Sequence, residues 1–491
     1  MLFNSYGFIF LYLPIVLLVF FWLERIGHAY SAAWLAAASI FFYGYWNPAY
    51  VGLLLISVIC NYTFGMWIAK AHGQGSIAKA KRLLVTAITA DLLLLGYYKY
   101  ANFFLANLDS ATGSHLSLGE IILPLGISFF TFTQIAFLVD TWQGKVKEYS
   151  FIHYTLFVTY FPHLIAGPIL HHAEMMPQFS LRTNYRVNWE NIATGLLLFT
   201  VGLCKKTLWA DSFAPFANAI FGGVQRGEVP TIYEAWCGAL AYTMQIYFDF
   251  SGYTDMALGA ALMFNIRLPI NFDSPYKANS IIEFWRTWHM TLSRFLRDYL
   301  YISLGGNRKG EPRRYANLMA TMLLGGLWHG AGWTYICWGG LHGIYLAINH
   351  LWRASLQHVP VRWFPPRLSG LTGGAITFVS VVVAWVLFRS ADMAHAIVML
   401  KAMAGIEARP IPIADVVHGQ LLIITNLRGR ELAILLLSAL AWVWLLPNST
   451  RLRLLKGNFL LTLAQAIATV YFLYLAIDCF GGYSPFLYFQ F

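Results

Sequence analysis

Leu323-Leu324-Gly325-Gly326-Leu327-Trp328-His329-Gly330-Ala331-Gly332-Trp333 lies near the middle of 38 residues, Tyr315 to Trp352, that hold no Asp, Glu, Lys or Arg. About 20 apolar residues in a helix cross the hydrocarbon core of a bilayer, and this stretch exceeds that length. The whole chain has the same character. Of its 491 residues 58% are hydrophobic, 17% aromatic and only 11% charged, and the mean hydropathy is +0.57. A soluble domain of ordinary composition carries about 25% charged residues, so most of the hydrated face is missing. A water-soluble enzyme, a disordered chain and a disulfide-rich secreted module are thereby excluded.

Only helices and closed barrels satisfy their backbone within lipid, and runs of this length specify helices. The expected fold class is all-α and polytopic. Met1 to Leu23 carries no Asp, Glu, Lys or Arg and no small-residue cleavage site, so it reads as a retained first span. Gly27 to Ala69 is also free of those charges, too long for one crossing, and divided near Asn47-Pro48. Further runs are Leu83 to Leu105, Ile121 to Val139, Tyr149 to Leu170, Ile192 to Leu208 and Tyr233 to Met263. Later ones are Tyr315 to Trp352, Leu368 to Phe388, Leu432 to Leu446 and Asn458 to Ile477. They amount to about 11 crossings, in one integral-membrane domain over residues 1–491 with no internal repeat and no domain linker. Pro124-Leu125-Gly126 interrupts one run, and Asp249 and Asp255 another. Broken or polar backbone at membrane depth needs protein or a water-filled cavity around it, which points to an internal chamber.

The formal net charge is +11. The basic residues sit between apolar runs, so they read as cytoplasmic loops under the positive-inside bias, with no nucleic-acid partner. Lys70, Lys79, Lys81 and Arg82 crowd one short loop, which this bias places in the cytoplasm. Between Ser280 and Arg314 seven Lys/Arg face three Asp/Glu. There Ile281-Ile282-Glu283-Phe284-Trp285-Arg286-Thr287-Trp288-His289, continuing to Arg297-Asp298-Tyr299, repeats apolar residues at three- and four-residue spacing. That pattern predicts a helix lying at the membrane interface. A plain anchor helix satisfies the same pattern. The five cysteines are scattered without a zinc or CxxC spacing and read as small apolar fillers.

A polar ring deep in a charge-free run costs free energy unless partnered or facing a cavity, which singles out His329. Partial burial favours the neutral imidazole, the form that takes a proton from a hydroxyl nucleophile. The flanking glycines admit either another backbone or a slender substrate. A histidine merely hydrogen-bonded between helices remains open. His289, 40 residues upstream, could face the same chamber, with Trp288 and Trp328 beside the two imidazoles. Two histidines do not complete a tetrahedral metal site, so no metal is expected. Asp249, Ser251, Tyr253 and Asp255, within Tyr247 to Ala257, argue for a polar lining or for helix bracing. No G-x-S-x-G elbow surrounds Ser251. Phe161 to Pro168, followed by His171-His172, reads as a broken helix at a membrane-surface turn, with His163 as a second-rank chamber residue.

Taken together, several stretches resemble the membrane-bound O-acyltransferases, particularly their bacterial alginate O-acetyltransferase branch. They are Tyr247 to Tyr253, Phe284 to His289, Leu300 to Arg308, Leu323 to Gly330 and Phe161 to Pro168, with a looser likeness after Arg389. The resemblance implies a multi-span fold with interfacial and re-entrant helices around a central tunnel. It implies that His329 matches the family's catalytic histidine and His289 its second active-site residue. It further implies acetyl-CoA or another acyl thioester as cytoplasmic co-substrate, with no bound cofactor. Periplasmic or membrane-anchored O-acetyltransferase partners would receive the acetyl group, and the bacterial inner membrane would house the chain. Arg286, Arg294, Arg297 and Arg308 could attract the donor's phosphates at the basic mouth. Relatives serving cellulose, peptidoglycan or teichoic acid are the nearest alternatives. A transporter or exporter and a structural scaffold for a polysaccharide synthase are the alternatives from other classes.

Overall fold

The computed structural model describes residues 1–491 except 115, 117, 147, 357–365, 411–428, 453, 455–458, 481–485 and 488–491. Among the described residues there are nineteen α-helices and no β-strand. Two compact units are formed, each from discontinuous segments. One comprises Met1–Cys204, Gly252–Ile270 and Leu452–Gln490, and the other Lys205–Ser251 and Asn271–Arg451.

The first unit holds α1 (Leu13–Leu23), α2 (His28–Gly44), α3 (Ala49–Gly73), α4 (Ile77–Leu95), α5 (Ala101–Thr112) and α6 (Ile127–Trp142). It continues with α7 (Phe151–Thr159), α8 (His172–Ser180) and α9 (Trp189–Cys204). The second unit starts with α10 (Asp211–Gln225) and the first part of α11 (Ile232–Met263), whose remainder belongs to the first. It then holds α12 (Ile281–Thr287), α13 (Met290–Phe295), α14 (Glu311–His329), α15 (Trp333–Leu356), α16 (Pro366–Arg389), α17 (Met393–Met403) and α18 (Gly429–Leu445). The last helix, α19 (Phe459–Asp478), packs on α9 in the first unit.

Lipid offers helices little hydrophobic reason to associate, so close backbone packing at small residues has to supply the contact. The crossing of α9 and α11 in the first unit shows this. A Cβ on Gly195 would stand 2.6 Å from the Gly259 carbonyl oxygen, and one on Gly202 would stand 2.5 Å from that of Gly252. Helix starts follow local chemistry. At the head of α11 the Glu234 carboxylate accepts from the Thr231 amide at 2.9 Å, while the Thr231 hydroxyl accepts from the Glu234 amide at 3.1 Å.

Four described helical stretches are long and apolar enough to cross a membrane: Ala49–Gly73, Trp189–Gln225, Gly370–Arg389 and Phe459–Asp478. Shorter apolar helices are Gly7–Leu23, Ile127–Trp142 and Met393–Met403. By this measure the expected count of about 11 is not reached. Several of the expected runs also depart from a continuous α-helix. Leu83 to Leu105 leaves α-helical geometry at the π segment Gly96–Tyr100. The run from Ile121 becomes helical only at Ile127, after Gly126 turns at φ +70°. Asn458, the expected start of the last run, lies outside the described residues.

Residues 160–170 form the expected break in the helix. They are non-helical, as Pro162 and Pro168 foretell, yet every one of them is buried. The turn is tight because a Cβ on Gly167 would stand only 2.4 Å from the His163 Cα. Next to it His172 meets Asp140 of α6 through Nδ1 at 3.0 Å, a pair within the core of the first unit.

Candidate functional site

His329 is the last residue of α14, and Gly330 leaves the helix in extended conformation. From Gly330 to Gly332 the chain reverses into α15, and the two helices meet backbone to backbone. A Cβ on Gly326 would lie 2.2 Å from the Tyr335 carbonyl oxygen, and one on Gly339 would lie 2.2 Å from that of Met322. Gly330 gives way to the Tyr335 ring, whose nearest atom stands 2.2 Å from an added Cβ. Gly326 and Gly330 are therefore filled by α15, and at these two positions the reading in which glycine admits a slender substrate gives way to packing. Gly326→Ala is expected to force α14 from α15, lowering thermal stability by about 1–3 kcal/mol, since the obstacle is backbone. Thermal unfolding in detergent checks this, and an unchanged midpoint contradicts the crossing.

The His329 ring is 5% exposed and lies among aromatic rings of the second unit. Its centroid is 4.9 Å from Trp328, 5.1 Å from Trp338, 5.3 Å from Phe388 and 6.4 Å from His289. His289 is fully buried and packs edge-on to Phe250 at 4.9 Å and to Trp328 at 6.1 Å. Trp288 belongs to an adjoining stack, 5.6 Å from Phe284 and 5.0 Å from Trp385.

His289 does not sit on the continuous interfacial helix that the spacing predicts. The helix ends at Thr287, Trp288 is extended, and His289 is left-handed at φ +43°, ψ +52° before α13 begins. Competing hydrogen bonds break it. The Asp273 amide donates to the Thr287 carbonyl at 2.9 Å, and the Met290 amide donates to the Asn271 carbonyl at 2.9 Å. A short non-helical segment, residues 271–273, thus takes backbone partners that a continuous helix would use itself. A left-handed non-glycine residue costs on the order of 1–3 kcal/mol and clusters at functional sites.

The other predicted residues separate. Asp249 is 1% exposed and faces the Lys206 ammonium at 2.9 Å, while Lys206 also reaches Asp211 at 2.8 Å. Ser251 is buried in the same unit. Tyr253 and Asp255 belong to the core of the first unit. Tyr253 stacks on Phe3 at 4.9 Å, and Asp255 lies where a Cβ on Gly202 would come within 2.9 Å. Arg286 is exposed on α12. Arg297 is 62% exposed and forks onto Asp298 at 2.7 and 3.1 Å. A polar cavity of about 210 Å³ opens nearby in the chain, lined by Asp273, Lys277, Glu283, Thr287 and Arg451 among others. Among the described residues, no three His, Cys, Asp or Glu side chains gather as a metal ion requires.

Three neighbours of the histidines escaped the sequence reading. Trp338 and His342 follow His329 by nine and thirteen residues within the same charge-free stretch, and a search for i, i+4 polar partners there finds them. The His342 Nδ1 accepts from the Trp285 indole at 3.3 Å. Asn271 stands alone between Ile270 and Phe272, and nothing in its local pattern marks it.

The arrangement is that of a helical membrane protein with two buried imidazoles inside an aromatic cluster. Residues 16–388, which include both histidines, match the model of the MBOAT, membrane-bound O-acyltransferase family. The chain belongs to that family and is an acyltransferase, which displaces the transporter and scaffold readings. It is similar to the peptidoglycan O-acetyltransferase of Helicobacter pylori, 43% identical over 434 residues, covering 83% of this chain and 80% of the relative. It is likewise similar to the probable alginate O-acetylase AlgI of Pseudomonas aeruginosa, 42% identical over 408 residues, covering 82% and 75%. The teichoic acid D-alanyltransferase of Streptococcus thermophilus is 28% identical over 290 residues, covering 54% and 68%.

Proposed function

We propose that this chain moves an acetyl group from a cytoplasmic thioester, acetyl-CoA, across the bacterial inner membrane for O-acetylation of an exopolysaccharide such as alginate. His329 serves as the general base. The observation that carries this reading is the pairing of two buried imidazoles, 6.4 Å apart between centroids, at breaks in their helices. The likeness to enzymes named for O-acetylation supports the acetyl group.

In this mechanism the donor's phosphates settle at the basic mouth near Arg286, Arg294, Arg297 and Arg308, and its thioester reaches His329. An acceptor hydroxyl loses its proton to His329 as its oxygen attacks the thioester carbon. The C–S bond then breaks, and the proton held on His329 passes to the leaving thiolate, which restores the neutral base. Only two carbons cross, passing to a periplasmic or membrane-anchored partner, through about 11 crossings arranged around a tunnel.

Peptidoglycan is the second reading for the acceptor, favoured by the 43% identity to the Helicobacter pylori enzyme. Mass spectrometry of acyl groups on each polymer, from cells with and without the gene, tests both. Loss of acetate from the exopolysaccharide alone supports the first, and loss from peptidoglycan alone supports the second. Unchanged acetylation of every polymer overturns the function.

A further inference from the structure

We propose that Asn271 is a positioning residue that fixes the tautomer of His289, placing the proton of the neutral ring on Nδ1 and the lone pair on Nε2. Asn271 is fully buried, and its side-chain oxygen is the hub of three contacts. That oxygen accepts from the Thr291 amide at 3.3 Å and from the Thr291 hydroxyl at 2.8 Å, and it lies 3.1 Å from Nδ1 of His289.

The Thr291 backbone N–H can only donate. The Asn271 atom facing it must therefore be the carbonyl oxygen, which settles the orientation of the amide. A carbonyl oxygen has lone pairs and no proton, so Nδ1 of His289 must carry the hydrogen of that contact. A neutral imidazole has one N–H, and Nε2 is then the acceptor. The backbone locks the pair, because the Met290 amide donates to the Asn271 carbonyl and holds His289 in its left-handed conformation. Phe250 at 4.9 Å and Trp328 at 6.1 Å flank the ring and oppose its rotation.

The consequence deepens the acyl-transfer reading, on which the kinetic half of the test rests. Of the roles open to His289, donating a hydrogen bond from neutral Nε2 to the thioester oxygen is removed. The ring enters the reaction as an acceptor, and it can donate from Nε2 only after that nitrogen has gained a proton.

The full-length protein with ¹⁵N-labelled histidine, in detergent at a pH where the ring is neutral, gives the first readout, with His289→Gln assigning the signals. A protonated Nδ1 and a bare Nε2 are expected, and the opposite pattern overturns the proposal. For the second readout, Asn271→Leu removes the acceptor at similar volume, whereas Asn271→Asp keeps it. Turnover is expected to fall about 10- to 100-fold in the leucine variant, the range when a partner orienting a functional histidine is lost. KM for acetyl-CoA should stay within about twofold in both variants, and the aspartate variant should retain most of its turnover. A fully active leucine variant, or an aspartate variant as slow as the leucine one, refutes the assignment. If the leucine variant fails to fold, the spectrum of the native protein decides. Because that spectrum requires no turnover, it separates failure of this inference from failure of the acyl-transfer reading.

Discussion

His329→Ala is expected to insert and fold but to transfer acetyl groups about 10²- to 10⁴-fold more slowly, the usual contribution of a positioned general base. Purified protein, acetyl-CoA and an accepting partner or polymer provide the assay. The ring touches Trp328, Trp338 and Phe388, so its removal also leaves space among aromatic side chains. A thermal midpoint measured on the same preparation separates a chemical loss from a packing loss, and His329→Gln provides a polar replacement that fills more of the space. Both variants should be slow while the glutamine variant stays close to native stability. Normal acetylation by a folded alanine variant would remove His329 from the chemistry.

The sequence makes the membrane class and the position of His329 legible because both depend on local properties: charge-free length and one polar ring within it. A long helix such as α3 follows from the same signal. What it hides is set by contacts distant along the chain. The three- and four-residue spacing around Ile281 to Tyr299 describes a helix correctly on either side of His289. The break itself comes from Asn271, 18 residues earlier, which captures the amides of Met290 and Thr291. Likewise the glycines of Leu323 to Trp333 fit two readings until α15 fills the space against Gly326.

Asp249 poses the same problem in electrostatic form, and it leads to the second large effect. The run Ile192 to Leu208 contains Lys205-Lys206, and the run Tyr233 to Met263 contains Asp249. Opposite charges in two apolar runs are a signal that they pair, and the structure pairs them, with Lys206 and Asp249 side chains 3% and 2% exposed. Lys206 lies in the π segment Lys205–Ala210, just before α10, and its second partner Asp211 occupies the first turn of that helix. An acidic residue there also complements the helix dipole. One ammonium thus ties the start of α10 to the middle of α11 inside the second unit.

Removing one member of a buried pair leaves a charge without its counter-ion and costs about 3–5 kcal/mol, whereas replacing both by apolar residues is often neutral. Asp249→Leu and Lys206→Met are each expected to lower the unfolding midpoint sharply, and the double variant should recover much of the loss. Asp211 tempers the first substitution because it still faces Lys206, so Lys206→Met, which takes the ammonium from the more deeply buried Asp249, should be the more damaging. Denaturation of all four proteins in mixed micelles closes the double-mutant cycle and yields the coupling. If Asp249 instead lines a substrate path, Asp249→Leu will depress acetyl transfer at unchanged stability, and Lys206→Met will not rescue it. A coupling near zero, with stability intact in both single variants, would leave Asp249 as a site residue and the ion pair without a bracing role.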